Sequence, residues 1–107
     1  MIYQNIITPQ QLKEKIDKKE EVFIVDIREH TSFYSPIDSA IHISVTKIMD
    51  NLNSLPKDKI VVLYCAHGVD SFFLMNLLKT EHGFSKVFSL KSGIEGWCKF
   101  LGKESKV

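Results

Sequence analysis

The residues best placed to do chemistry lie in the stretch Val61-Val62-Leu63-Tyr64-Cys65-Ala66-His67-Gly68-Val69-Asp70-Ser71. Its first four residues read as a buried strand, and an apolar helix follows its last. Cys65 therefore stands at a strand end and a helix mouth. There, backbone N–H groups point at the sulfur and the helix dipole favours its anion. The thiolate is the reactive form of cysteine, which makes Cys65 the candidate nucleophile. Ala66, His67, Gly68, Val69, Asp70 and Ser71 turn the chain, and successive N–H groups in such a turn form a nest that holds anions. Gly68 permits the tight fold. His67 can donate to a sulfur anion or shuttle a proton, or simply face solvent. Asp70 is the oddity, an acid in a loop built to receive negative charge. Its structural reading is as N-cap of the following helix.

A nucleophilic thiol beside an anion cradle suits attack on a phosphate ester or on a sulfane sulfur. The phosphate design needs an arginine six residues after the cysteine, to grip the phosphoryl oxygens. That position is Ser71, and no arginine occurs in the loop. No Cys-x-x-Cys supports a dithiol redox role. The second cysteine, Cys98, shares helical spacing with Ile94, Trp97 and Leu101 and reads as core packing. His30, His42, His67 and His82 are scattered without metal-ligand spacing, so neither a metal nor a cofactor is expected. Asp26 and Arg28 follow one another near a strand end and read as a structural pair.

The 107 residues are 44% hydrophobic and 25% charged, with a formal net charge of +1. That balance suits one globular domain over residues 1–107 and gives no field to draw in nucleic acid or a membrane surface. Lysine dominates the basic residues, and Arg28 is the one arginine. Any bidentate grip on an oxyanion falls to that side chain. With no signal peptide in Met1–Gln10, no membrane-length apolar run and no disulfide pattern, a cytoplasmic setting is expected.

The elements that must position Cys65 alternate along the chain. Tyr3–Ile7 opens as a strand. Thr8, Pro9 and Gln11 form a capping box with proline at the first helical position. Val22–Ile27 is a continuous apolar run, the mark of a strand buried on both faces. Arg28–Ser39 is irregular, with a helical turn around Thr31–Tyr34. Ala40–Ile43 is a short strand, and Ser44 caps a helix carrying Val45, Ile48, Met49 and Leu52. Ile60–Tyr64 is the central strand. Ser71–His82 is a helix apolar nearly all round, expected to be well buried and stopped by Gly83. Lys86–Leu90 is the last strand, and a closing helix carries Trp97 as core. The pattern is α/β: an open, mainly parallel five-stranded sheet with helices on both faces. Ligands of such sheets sit beyond the carboxyl ends of the strands, where Cys65 falls.

The order and spacing of several pieces resemble the single-domain rhodanese family of sulfurtransferases. These are Ile7-Thr8-Pro9-Gln10-Gln11-Leu12, Val25-Asp26-Ile27-Arg28-Glu29, Ala40-Ile41-His42-Ile43, Leu55-Pro56-Lys57-Asp58-Lys59, the Cys65–Ser71 loop and Gly93-Ile94-Glu95-Gly96-Trp97. The resemblance implies a rhodanese-like fold and no cofactor. It implies that Cys65 takes sulfur from a small donor, holds it as a persulfide and passes it to a thiol or cyanide; a protein can serve as donor or acceptor. In the family the Asp26–Arg28 pair buttresses the loop. Three positions depart from the family pattern. The loop usually reads Cys-x-x-Gly-x-Arg-Ser, and Asp70 takes the arginine's place. Ser35-Pro36-Ile37-Asp38-Ser39-Ala40 replaces Gly-His-Ile-Pro-Gly-Ala, and Ser92-Gly93 replaces Gly-Gly. The first departure implies poor use of thiosulfate, a dianion, and preference for polysulfide or a persulfide. The alternative is a non-catalytic rhodanese-like module that binds or regulates a partner protein.

Overall fold

A computed structural model of the chain describes residues 4–31 and 34–102. Five strands, β1 (Ile6–Ile7), β2 (Val22–Asp26), β3 (Ile41–His42), β4 (Ile60–Tyr64) and β5 (Val87–Leu90), form one sheet in the order β1-β5-β4-β2-β3. Every pairing is parallel. The central strand is β4, flanked by β2 with Asp26 opposite Tyr64 and by β5 with Leu63 opposite Ser89.

The apolar runs of β2 and β4 exist because both faces of the sheet are covered. Val61, Leu63 and Cys65 point to one face, under the helix α2 (Val69–Glu81) and the 3-10 segment Ile48–Ser54. Val62 and Tyr64 point to the other, under α1 (Pro9–Asp17) and α3 (Gly93–Leu101). α1 starts on the expected capping box: the Gln11 N–H donates to Thr8 Oγ1 at 3.1 Å, and the Thr8 N–H donates to Gln11 Oε1 at 2.9 Å. α3 buries Ile94, Trp97 and Cys98, as their spacing required.

Several expectations need correction. The opening strand is only Ile6–Ile7, and Tyr3 lies outside the described residues. The turn expected around Thr31–Tyr34 includes Ser32 and Phe33, which also lie outside them. The helix expected from Ser44 is instead a 3-10 segment that begins at Ile48, with a kink at Asn51. The Lys47 carbonyl accepts the Asp50 N–H at 3.1 Å, the i to i−3 bond of a 3-10 turn, and the Asn51 side-chain amide at 2.8 Å. That carbonyl is the one the Asn51 N–H would claim in an α-helix, and short polar side chains compete in this way. Ser44 caps nothing; its hydroxyl pairs with Thr46 Oγ1.

α2 begins at Val69, not Ser71, and it is not buried all round. Val69 is 59% exposed, Phe73 68% and Leu77 40%. Gly83 closes it as expected, with φ of 74° and the Phe84 N–H donating to the Leu78 carbonyl. No helix among the described residues is long and apolar enough to cross a membrane.

Candidate active site

Cys65 follows β4 directly and is 5% exposed. Its sulfur accepts the Gly68 N–H at 3.1 Å and the Ser71 N–H at 3.4 Å. The second of these donors belongs to the first turn of α2, where helix N–H groups have no intrahelical partner. As a thiol, Cys65 donates to Ser71 Oγ at 3.5 Å. Ser71 Oγ in turn lies 2.7 Å from Ser89 Oγ on β5, and both serines are buried. A hydroxyl can turn to donate or accept. The pair can therefore accept from the thiol or donate to a sulfur anion without moving a heavy atom.

The loop is held in place from α3. The Ile94 N–H donates to the Cys65 carbonyl at 2.9 Å, and the Glu95 N–H donates to the Ala66 carbonyl at 3.2 Å. This approach demands glycine at the start of α3. A Cβ on Gly93 would lie 2.4 Å from the Cys65 oxygen and 2.6 Å from the Ala66 oxygen, and its φ is +61°. Gly68 turns at φ of +97° and occupies the N-cap position of α2, without a side-chain cap. Asp70 is thus the second residue of the helix and not its N-cap. Its carboxylate is exposed and has no hydrogen bond or ion pair among the described residues.

Cys65 opens into a pocket of about 510 Å³. Ala66, His67 and Asp70 line it from the loop, and Ile27, Arg28, Glu29 and His30 line it from the segment after β2. Tyr34, Val45 and Glu95 complete the wall. Gly68, Val69 and Ser71 are not part of that wall; Gly68 and Ser71 reach the sulfur through backbone N–H groups instead. His67 is exposed, with Nδ1 3.2 Å from Glu95 Oε1.

Arg28 faces the pocket but is already engaged. Its guanidinium meets the Asp26 carboxylate at 2.7 Å, with Nε 3.0 Å from the other oxygen. Burial works against the charge, yet the hydrogen bonds and charge of Asp26 outweigh it and leave Arg28 more firmly protonated than usual. The Tyr64 hydroxyl donates to the same carboxylate at 2.9 Å and accepts the Ile37 N–H at 3.0 Å. Burial is the main reason the Tyr64 phenol resists ionisation, and the Asp26 charge adds to it. Glu29 accepts from the Thr46 hydroxyl at 3.0 Å, which holds its carboxyl below the usual range. Among the described residues no group of three His, Cys, Asp or Glu side chains is arranged to hold a metal ion.

Sequence reasoning missed Ser89, the residue behind Ser71. A serine in an otherwise apolar strand was the available signal, because a buried hydroxyl needs a partner. It also missed the pocket walls contributed by Glu29, His30, Tyr34, Val45 and Glu95, which only the fold assembles.

Comparison with known proteins gives the family. The family model of the rhodanese-like domain matches residues 8–100. The thiosulfate sulfurtransferase GlpE of Coxiella burnetii is 36% identical over 81 residues, 75% of this chain and 75% of that protein. GlpE of Glaesserella parasuis is 36% identical over 94 residues, covering 87% and 85%. Among solved structures, a rhodanese-like domain protein from Staphylococcus aureus superposes with a TM-score of 0.79. It is 33% identical and covers 88% of this chain and 91% of that one. An NAD-dependent persulfide reductase from A. fulgidus gives 0.70 at 31% identity, over 88% of this chain and 16% of that one. A family model that matches residues 8–100, relatives 36% identical and a shared fold together mean that this chain belongs to the rhodanese-like domain family.

Proposed function

We propose that the protein is a sulfurtransferase that carries sulfane sulfur on Cys65. The family and its named sulfurtransferase relatives support sulfur transfer in general. The observation that carries the specific reading is the Cys65 sulfur, held by the Gly68 and Ser71 N–H groups at the base of an open pocket. In the loading step the Cys65 thiolate attacks the outer sulfur of a donor. A Cys65 S–S bond forms, the donor's own bond to that sulfur breaks, and the donor leaves with the electron pair. Charge on the sulfurs is met by N–H donors already in place, which lowers the cost of forming it. In the second step an acceptor thiolate or cyanide takes the outer sulfur and Cys65 leaves as thiolate.

The donor we infer is polysulfide or a persulfide in preference to thiosulfate. Asp70 puts a carboxylate where the family pattern has arginine, and Asp26 already occupies the one guanidinium in the pocket wall. Thiosulfate, a dianion, therefore meets no free permanent cation among the wall residues, whereas a persulfide or a singly protonated polysulfide presents one charge at its reacting end. Intact-mass measurement tests the reading. Polysulfide and glutathione persulfide are expected to add one sulfur to the protein rapidly and thiosulfate much more slowly. Faster loading by thiosulfate overturns the donor assignment, and no loading by any donor overturns the transferase reading.

A further inference from the structure

The pocket mouth is acidic although the chain as a whole is not. Glu29, Asp70 and Glu95 line it together with His30 and His67, the latter against Glu95; among the described residues no lysine does, and Arg28 is offset by Asp26. The mouth also continues into an apolar groove. Val45 and Asp70 belong to the walls of both, and the groove runs on between the 3-10 segment and α2 over Met49, Phe73 and Leu77. Those three side chains are 41%, 68% and 40% exposed. A patch of large apolar side chains beside a reactive centre marks an interaction surface more often than chance exposure does.

We propose that the mouth and groove together dock an acceptor protein whose reacting cysteine lies in a basic segment with a large apolar side chain next to it. The inference rests on the sulfurtransferase reading. An acceptor must react as a thiolate, and a lone thiolate is disfavoured beside three carboxylates. Lysine or arginine beside it reverses that repulsion and pairs with Asp70, the carboxylate without a partner among the described residues. The adjacent apolar side chain then lies in the groove past Phe73. Charge complementarity of this kind acts mainly on encounter rate and on choice of partner. The transfer balances without a redox partner: the acceptor sulfur bonds to the outer sulfur, the Cys65 S–S bond breaks, and Cys65 departs as thiolate.

The test uses the full chain loaded with sulfur by polysulfide and then desalted. Three acceptors are compared: cyanide and two cysteine peptides of equal length and apolar content, one flanked by lysines and one by glutamates. The lysine peptide is expected to discharge the protein about tenfold faster at low salt. The gap is expected to close at ~0.5 M salt, where screening is nearly complete. Phe73→Ser is expected to slow the lysine peptide about threefold and leave the cyanide rate unchanged. Equal rates for the two peptides, or a Phe73→Ser variant that discharges to the lysine peptide normally, overturn the docking inference while discharge to cyanide leaves the transferase reading intact. A dimer in sedimentation that Phe73→Ser dissolves gives the groove to a second copy and also overturns it. Failure of polysulfide to load the protein overturns the transferase reading and this inference with it.

Discussion

In the proposed function, Asp70 is the residue that sets donor preference. Its carboxylate lies in the wall of the same pocket as Cys65 and has no partner among the described residues to absorb its charge. Asp70→Arg changes the local charge by two units. Against a dianion, even at the dielectric of water, that is worth about five- to a hundredfold in kcat/KM with thiosulfate. Asp70→Asn is expected to gain less, and both gains are expected to shrink with salt. Steady-state thiocyanate formation across a salt series checks this; a folded Asp70→Arg variant with no gain overturns the electrostatic account. At this scale Cys65 and Asp70 were legible because residue type and spacing alone single them out. The N-cap reading of Asp70 was wrong, because Gly68 takes that position and α2 starts two residues earlier than the apolar pattern suggests. Ser89 was invisible as a partner of Ser71, since the contact spans 18 residues of sequence.

The loop is a product of two helix starts meeting at one strand end. α2 gives the Ser71 N–H of its first turn to the sulfur, and α3 gives its own N–H groups to the carbonyls of Cys65 and Ala66. Gly93 is the joint between them. Gly93→Ala places a Cβ against two loop oxygens at a positive φ, and it is expected to cost about 3 kcal/mol or more. Because the strained oxygens belong to the loop, sulfur loading is expected to fall along with the denaturation midpoint. An Ala variant with unchanged midpoint and loading contradicts this role. Ser92 stands beside it with φ of +62°, where a side chain is disfavoured. Ser92→Gly is expected to be stabilising by about 0.5–1 kcal/mol in the same measurement. The strands and α3 were legible because continuous and helical apolar periodicities are distinct. The 3-10 segment was not: its apolar spacing is helical, but its Lys47 carbonyl accepts from the Asp50 N–H and the Asn51 side chain instead of the Asn51 N–H.

Across the whole molecule, Tyr64, Asp26 and Arg28 tie the central strand to its neighbour and to the Ile37 segment. The parallel sheet was readable from composition of the runs, but this network depends on the register that sets Asp26 opposite Tyr64. It carries a pH signature. The folded phenol ionises above its ordinary value of 10.0, so folding favours the protonated form. The stability it gives is fully present below pH 10 and is lost as pH rises from there toward the folded value. Tyr64→Phe removes a donor from Asp26 and an acceptor from the Ile37 N–H, at a cost of about 1–3 kcal/mol near neutral pH. The difference in stability between wild type and Tyr64→Phe is therefore expected to narrow above pH 10 in denaturant titrations. A difference that stays constant or widens contradicts the network.

The most direct test of the central claim is where the sulfur sits. Peptide mapping after polysulfide treatment is expected to find the added sulfur on Cys65, within the Val61–Ser71 stretch. Cys65→Ser is expected to lose both loading and thiocyanate formation. Cys98, 8% exposed in the α1–α3 layer, is expected to behave as packing. Cys98→Ala then keeps transfer and loses about 1 kcal/mol of stability. Sulfur found on Cys98 alone, or a Cys65→Ser protein that still loads and discharges sulfur, would contradict the account.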